Sequence, residues 1–256
     1  MNKMVKTIIE AFPKEKREAA EDGSKILHIA ECFCDTIQGE NFTGNPAVFL
    51  RMKSCTLNCT WCDTTEVWRQ GNSYSVNEVL ALLDETGVID RLMNGHHLVL
   101  TGGSPLLQQE SLCELIDKII EEYGFRPIIE IENEAVLMPT YHMIHLVDCW
   151  NNSPKLQNSG VKSQFRYIPE AIKKVASLDN SWFKFVISNE DDWFEIEQDF
   201  LMTGLIAPEQ IVLMPEGATR EQLQKNYQMI VDLAVKYNVR MTDRLHVMIW
   251  NKTVGV

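Results

Sequence analysis

The chain has 256 residues, a formal net charge of −12 and a hydrophobic content of 45%. A globular chain of this length buries about three quarters of the surface of its unfolded form, so it needs no disulfide or metal merely to fold. No apolar run approaches the roughly 20 residues of a membrane span. No Lys/Arg cluster could follow a phosphate backbone. We therefore expect neither a membrane nor a nucleic acid as a partner.

The N-terminal segment is polar and lacks the apolar core and cleavage site of a secretory signal. We expect a helical or frayed extension at residues 1–24 and one folded domain at 25–256, because no repeat or linker marks another boundary. The chain has 7 cysteines, an odd number that argues against a disulfide framework. These features predict a cytoplasmic protein.

Short apolar strands and amphipathic helices alternate along the chain. A strand at 47–52 leads into a cysteine-rich loop, and Ser75 with Glu78 has the spacing of a capping box at the start of a helix. A strand at 97–101 ends at the pair Gly102-Gly103. The other predicted segments are helices at 106–123, 190–203 and 220–237, and strands at 127–132, 144–149, 182–187, 210–214 and 245–249.

This alternation implies a parallel sheet with helices outside it. We predict an α/β fold, a partial or modified (β/α) barrel of about six parallel strands. Reactive groups in such folds lie at the carboxyl ends of the strands. The cysteine-rich loop and Gly102-Gly103 both follow strands, so we expect them at one edge of the sheet. Alternation along a strand also places Glu130 and Glu132 on one face, at the mouth of the barrel.

The cysteine-rich loop carries Cys55, Cys59 and Cys62 within eight residues. Three thiolates at one centre suit a four-iron cluster with one iron left open. A structural zinc site would need a fourth ligand, for which His96 and His97 are candidates. The spacing favours the cluster and leaves zinc, or a coincidence in the core, as alternatives. The four remaining cysteines are interpreted as interior thiols.

The cysteine spacing resembles the radical S-adenosylmethionine signature, and the surrounding motifs resemble the 7-carboxy-7-deazaguanine synthase family. The similarity runs from about residue 33 to the C-terminus. The motifs that carry it are Thr36-Ile-Gln-Gly-Glu40, Thr43-Gly44 with Pro46-Ala-Val-Phe-Leu-Arg51, Cys62-Asp-Thr64, Leu100-Thr-Gly-Gly-Ser-Pro-Leu-Leu-Gln108, Ser153-Pro-Lys-Leu156 with Ser159-Gly160, Lys184-Phe-Val186, Leu213-Met-Pro-Glu-Gly217, and Arg244-Leu-His246 with Trp250 and Gly255-Val256.

The resemblance implies that 25–256 is a radical S-adenosylmethionine catalytic domain with a 4Fe-4S cluster, S-adenosylmethionine and Mg²⁺ as cofactors. It implies a lyase that converts 6-carboxy-5,6,7,8-tetrahydropterin into 7-carboxy-7-deazaguanine, in queuosine-type biosynthesis. A radical made from the cofactor takes the hydrogen from C6, the ring contracts and ammonia leaves. The resemblance implies no catalytic side chain, because the catalytic group is the radical made from the cofactor.

The resemblance also assigns residues to the cofactor. Position 104 commonly holds an acidic residue that pairs with the methionine amino group, whereas Ser104 offers only a hydroxyl. The run Asn133-Glu134-Ala135 replaces a common Thr-Asn-Gly. The implied cluster ligands are Cys55, Cys59 and Cys62, and the implied S-adenosylmethionine contacts are Trp61, Thr101, Gly102, Gly103, Ser104, Glu132, Ser153 and Lys155.

A second implied set binds the substrate. A guanidinium offers a bidentate fork to the substrate carboxylate, and acidic side chains suit the N–H edge of a pterin. Thr64 corresponds to the Mg²⁺ ligand, and Asp63 is expected to order the loop. The implied substrate contacts are Gln38, Gly39, Glu40, Arg51, Lys184 and His246.

The resemblance implies partners too: a small-molecule pterin substrate, an external electron donor of the flavodoxin or ferredoxin type, and a second copy in a homodimer. Two other functions share part of the sequence pattern. A glycyl-radical-type activase would use the same three cysteines and the glycine motif. A non-enzymatic zinc-binding module would use the cysteines alone.

Overall fold

The computed structural model of the protein describes residues 6–9 and 22–251. Within these residues, one sheet contains the strands β1 Lys6–Ile9, β2 Ile26–Ile37, β3 Pro46–Met52, β4 Asn72–Ser75, β5 His97–Gly102, β6 Ile129–Asn133, β7 Cys149–Asn152, β8 Ser181–Ile187, β9 Ile211–Pro215 and β10 Arg240–Met241. The helices are α1 Thr65–Trp68, α2 Val76–Glu85, α3 Val88–Met93, α4 Gln109–Tyr123, α5 Tyr141–Leu146, α6 Ser163–Arg166, α7 Pro169–Ala176, α8 Asp192–Glu195, α9 Arg220–Tyr237 and α10 Leu245–Trp250.

The sheet is mostly parallel. Strands β3, β5, β6, β7, β8, β9 and β10 pair in that order, each parallel to the next. Strand β2 runs antiparallel to β3 and also pairs with β1 and β4. The parallel strands β3, β5, β8 and β9 read as mostly apolar runs because helices cover the sheet; every residue of β9 is buried. Strands β6 and β7 instead carry buried Glu and Asn side chains. The predicted α/β fold with about six parallel strands and helices outside is confirmed.

Helix α2 begins as its sequence pattern predicts. The Glu78 amide donates to Ser75 Oγ at 3.1 Å, and the Ser75 amide donates to Glu78 Oε2 at 2.7 Å. This reciprocal pair satisfies two amides that a helix start leaves without partners. Helix α9 has the predicted bounds. The predicted helix at 106–123 begins with a 3₁₀ turn, Pro105–Gln108, before α4, and the one at 190–203 is α8 followed by a π-helical segment, Ile196–Leu201.

Two predicted strands are wrong. Residues 144–146 end helix α5, where Thr140 Oγ1 caps the first turn by accepting from the Met143 amide at 3.2 Å, and the strand begins only at Cys149. Residues 245–249 lie in helix α10. Both segments are short apolar runs, which fit a buried strand and a buried helix turn equally well. None of the helices described here is long and apolar enough to cross a membrane.

The N-terminal segment departs from its predicted form at one place. Lys6–Ile9 is a strand that pairs with β2, whereas the sequence predicted a helical or frayed segment. The rest of the predicted extension up to residue 21, and Gly255-Val256, lie outside the described residues. The division at residues 24 and 25 stays a prediction.

Candidate active site

One cavity of about 490 Å³ opens at the carboxyl ends of the parallel strands. This is the edge at which the α/β architecture was expected to place the chemistry. It is lined by every predicted site residue except Ser104: Gln38, Gly39, Glu40, Arg51, Cys55, Cys59, Trp61, Cys62, Thr64, Thr101, Gly102, Gly103, Glu132, Ser153, Lys155, Lys184 and His246.

The cysteine-rich loop leaves β3 through a strained residue. Ser54 has a φ of 73°, in the left-handed region that non-glycine residues rarely adopt. Its amide donates to the Trp68 carbonyl at 3.0 Å, and the Thr60 amide donates to the Ser159 carbonyl at 2.9 Å. These backbone bonds anchor the loop at its base and in its middle, so the three cysteines have a fixed frame.

The three thiols differ in their surroundings. Burial raises the pKa of Cys55, and it raises the pKa of Cys59 to about 11. Burial also raises the pKa of Cys62, but hydrogen bonds led by those from Thr65 and Trp68 outweigh it and leave this pKa below its ordinary value. The Trp68 indole Nε1 donates to Cys62 Sγ at 3.5 Å. Iron binding must therefore displace protons from at least two of the thiols.

The donor set fits a 4Fe-4S cluster. Three thiols from one loop line the cavity, and each would bind a different iron atom. The described residues contain no group of three or more His, Cys, Asp or Glu side chains placed to hold a single metal ion, an arrangement that a four-iron cluster does not need. His97, one candidate for the fourth ligand of the alternative zinc site, is instead hydrogen-bonded to Glu130, with Nδ1 2.7 Å from Oε1.

The glycine pair lets two backbone segments pass at close range. A Cβ on Gly102, whose φ is 145°, would lie 2.5 Å from the Met52 amide nitrogen, and a Cβ on Gly103 would lie 1.9 Å from the Ser54 carbonyl oxygen. Only glycine allows such an approach. The end of β5 is thereby packed against the base of the cysteine-rich loop. Both glycines also line the cavity, and their contact with the cofactor stays a prediction.

Ser104 is fully buried and does not line the cavity. Its hydroxyl donates to Glu134 Oε1 at 2.6 Å and accepts from the Thr56 amide at 2.9 Å. The residue at this position therefore ties the glycine turn to the cysteine-rich loop and to the end of β6. Glu134, which the sequence did not single out as a site residue, lines the cavity in its place.

Lys155 and Ser153 form a local pair beside the cysteines. The Lys155 ammonium donates to both the carbonyl and the hydroxyl of Ser153 at 2.7 Å. It also lies 5.6 Å from the centre of the Trp61 ring, within range of a cation–π contact. Burial lowers the pKa of Lys155, and the nearby Cys59 opposes this shift. A cation is thus held next to the proposed cluster ligands.

A second part of the cavity wall carries paired charges. Lys184 forms an ion pair with Glu40, and the Arg51 Nε donates to Glu31 Oε1 at 2.7 Å. Burial, reinforced by the charge of Glu40, raises the pKa of Glu132, while Lys184 opposes the rise. This part of the wall therefore carries both cations and carboxylates. Such a mixture suits a ligand that has both an acid group and N–H donors.

Glu130 does not reach the mouth of the barrel, contrary to the sequence expectation. It is fully buried, because it lies two residues deeper in β6 than Glu132 and meets side chains from neighbouring elements there. Its carboxylate accepts from Gln38 Nε2 and from Asn151 Nδ2, each at 3.0 Å, in addition to His97. Burial raises the pKa of Glu130, although His97 opposes it.

Gln38 joins this network to the cavity wall. Its Oε1 accepts from the amides of Gly39 at 2.7 Å and Glu40 at 3.2 Å, while its amide group is held by Glu130. Gln38 is almost completely buried, with 1% of its surface exposed. Its amide and carbonyl groups fix the shape of the loop that carries Glu40. Direct contact of the Gln38 side chain with a substrate stays a prediction.

The start of helix α10, with Arg244 just before it, lines the cavity beside the cysteine-rich loop. Asp63 forms an ion pair with Arg244, and His246 Nε2 lies 3.7 Å from Asp63 Oδ2. Burial raises the pKa of Asp63, but Arg244 and His246 outweigh it, so the carboxyl stays ionised well below its usual range. Thr64 Oγ1 lies 3.7 Å from Cys62 Sγ. The Arg244-Leu-His246 motif was the only sequence signal for this contact, and Arg244 was not predicted as a site residue.

Comparison with known proteins agrees with this site. A 4Fe-4S single cluster domain matches residues 38–136. The 7-carboxy-7-deazaguanine synthase of Pyrobaculum aerophilum is 34% identical over 232 residues, which cover 90% of this chain and 97% of the relative. That of Halobacterium salinarum is 30% identical over 261 residues, with 92% and 95% covered. The crystal structure of QueE from Escherichia coli has the same fold, with a TM-score of 0.62 at 20% identity over 86% of this chain and 94% of that one.

The fold and the three-cysteine cavity define an iron–sulfur enzyme of the radical S-adenosylmethionine class. The two relatives narrow this class to one family, because each is matched over more than nine tenths of its own length. The chain belongs to the 7-carboxy-7-deazaguanine synthase family, as the sequence resemblance predicted.

Proposed function

We propose that this protein converts 6-carboxy-5,6,7,8-tetrahydropterin into 7-carboxy-7-deazaguanine. The observation that carries the proposal is one cavity that is lined both by the three cysteines and by the charges of Glu40 and Lys184. The names of the relatives support the same reaction.

The cofactors supply the radical chemistry. When bound beside Cys55, Cys59 and Cys62, the cluster and S-adenosylmethionine would supply the radical chemistry that removes the hydrogen from C6 of the pterin and permits ring contraction with loss of ammonia. The protein holds and orients these groups and excludes water. Cys55, Cys59 and Cys62 hold the irons, and Trp61 with Lys155 borders the cofactor beside them.

The charged wall binds the substrate. Arg51, whose guanidinium Glu31 already holds through Nε, offers its fork to the pterin carboxylate. Lys184 adds a second cation, so that the acid group is held by charge on two sides. Glu132 also lines the cavity, where its carboxyl oxygens can accept hydrogen bonds from the N–H edge of the ring.

Mg²⁺ and the substrate bind together in this scheme. One threonine hydroxyl, from Thr64, is a weak site by itself, because Mg²⁺ prefers six oxygen ligands and keeps several waters. We expect the affinity for Mg²⁺ to rise at least tenfold when the pterin is present, measured by equilibrium dialysis. An affinity that the pterin does not change would contradict a shared site.

The test of the activity is an anaerobic incubation of the iron- and sulfide-reconstituted protein with carboxytetrahydropterin, S-adenosylmethionine, Mg²⁺ and a chemical reductant, which replaces the proposed flavodoxin or ferredoxin. We expect deazaguanine product by mass spectrometry, and none from Cys59→Ser. Cleavage of S-adenosylmethionine without product would contradict the substrate and favour an activase. Uptake of zinc without iron or sulfide would contradict the enzyme.

A further inference from the structure

Glu134 has an unusual place for a carboxylate. It follows β6, is 6% exposed and lines the cavity. The hydroxyls of Ser104 and Thr56 both donate to its Oε1, each at 2.6 Å. Every hydrogen bond that Glu134 accepts from the described residues ends on this oxygen, which leaves Oε2 for a ligand in the cavity.

The carboxylate has no cation in contact with it. A buried carboxylate is stable when it is paired with a positive charge as well as hydrogen-bonded. No Lys, Arg or His among the described residues forms an ion pair with Glu134. Lys155 is close enough to interact with it electrostatically, but its ammonium is bonded to Ser153. The site is therefore complete except for a positively charged partner at Oε2.

The position of this carboxylate matches one end of the cofactor. Ser104 Oγ lies 3.6 Å from Cys55 Sγ, and Thr56 follows Cys55 in the chain. The charge of Glu134 also acts on both Cys55 and Cys59. Glu134 therefore lies beside the cluster ligands, where the methionine part of S-adenosylmethionine must approach the open iron.

We propose that Glu134 binds the amino group of that methionine. An acidic residue commonly has this role at position 104, which is a serine in this chain. Two of the departures from the family pattern, Ser104 and Glu134, then form one exchange: the carboxylate stands at the end of β6 instead of in the glycine turn, and Ser104 holds it in place. The inference rests on the proposed function for the identity of the cofactor.

The test compares ligands with and without the amino acid part. The dissociation constants of S-adenosylmethionine and of methylthioadenosine are measured by anaerobic equilibrium dialysis on the cluster-containing wild type and Glu134→Gln. We expect Glu134→Gln to bind S-adenosylmethionine roughly tenfold or more weakly, since a hydrogen bond to a charged group is lost. Its affinity for methylthioadenosine should stay within twofold. An equal change for both ligands, or none for S-adenosylmethionine, overturns the inference.

The reciprocal exchange gives an independent test. We expect Glu134→Asn to bind S-adenosylmethionine weakly and the double variant Ser104→Glu, Glu134→Asn to recover most of the affinity, with equal iron content in both. A double variant that contains the cluster but shows no recovery overturns the exchange. A wild type that binds S-adenosylmethionine but makes no deazaguanine contradicts the proposed substrate and leaves the assignment of Glu134 standing.

Discussion

Lys184 shows how single residues set the chemistry of the cavity. Its ion pair with Glu40 keeps that carboxylate from facing Glu132 without a counter-charge. We expect Lys184→Met to lower kcat/KM for the pterin by about tenfold or more, because one charge-assisted contact is lost and two carboxylates are left to repel the substrate acid. Steady-state kinetics at fixed S-adenosylmethionine measure this.

The matched control is Lys173→Met, since Lys173 is exposed on α7 and lies outside the cavity. It should leave kcat/KM within twofold of the wild type. Equal kinetic constants for Lys184→Met and the wild type would speak against the charged wall as the substrate site.

Glu130 acts on the same wall from within the protein. Replacing it by alanine leaves the donors of His97, Gln38 and Asn151 without their shared acceptor, which costs about 2–4 kcal/mol of the free energy of unfolding. Since Gln38 holds the loop that carries Glu40, we also expect KM for the pterin to rise. Urea denaturation and steady-state kinetics measure the two effects.

The control for Glu130→Ala is Glu121→Ala, at an exposed position of α4. It should change the free energy of unfolding by less than about 0.5 kcal/mol. A Glu130→Ala protein that is destabilised while KM stays at the wild-type value would show that the network supports the fold and not the substrate loop.

These residues also show what the sequence could and could not predict. The spacing of the three cysteines predicted their shared function, because all three lie close together along one loop. The contact between Gln38 and Glu130 spans 92 positions of sequence, and that between Ser104 and Glu134 spans 30. Such pairs form only when the strands of the sheet set their register, so no local pattern predicts them.

At the scale of elements, the close approach of β5 to the cysteine-rich loop leaves the least room for a side chain. Since a Cβ at position 103 would lie 1.9 Å from the Ser54 carbonyl, Gly103→Ala must push the loop away from the strand. We expect a loss of roughly 2 kcal/mol or more in the free energy of unfolding and fewer irons per chain after reconstitution. Urea denaturation and iron analysis test this.

Gly124→Ala is the matched control. Gly124 has a φ of 69° with no atom within 4 Å of a built Cβ, so alanine there meets only the backbone strain of the left-handed conformation. That strain costs about 1–2 kcal/mol and should leave the iron content unchanged. A normal iron content in Gly103→Ala would contradict the coupling between this crossing and the cluster site.

Strand β2 is an element that the sequence did not predict. Strand β2 is buried along most of its length, although it contains Glu31, Asp35 and several other polar residues. Glu31 is tolerated there because Arg51 pairs with it across the sheet. An antiparallel strand with buried polar side chains lacks both the alternation and the apolar run by which strands are recognised, whereas parallel strands such as β5 and β9 keep their apolar runs.

At the scale of the whole molecule, the cavity collects charges of both signs. The chain carries a net charge of −12, and four cations, Arg51, Lys155, Lys184 and Arg244, line the cavity together with five carboxylates, Glu40, Asp63, Glu132, Glu134 and Asp243. A single well-placed cation can still bind a carboxylate at short range, although neither the net charge of the chain nor the summed charge of the cavity attracts an anion. An acidic protein can therefore bind a carboxylate substrate through local contacts, which net charge alone would argue against.

The fold as a whole should not depend on its iron. The buried core packs the sheet against the helices, while Cys55, Cys59 and Cys62 are each partly exposed at the sheet edge. A chain of this size buries enough apolar surface to fold without a metal, unlike small domains whose metal binding supplies the folding energy.

We therefore expect chelation of the iron to leave the far-ultraviolet circular dichroism unchanged and the cooperative thermal transition in place. Hydrogen exchange should increase mainly between Cys55 and Thr64, where the cluster ligands and their loop lose a common anchor. Global loss of structure on chelation would show that the cluster holds the sheet together, and would make the cysteine-rich loop part of the folding core.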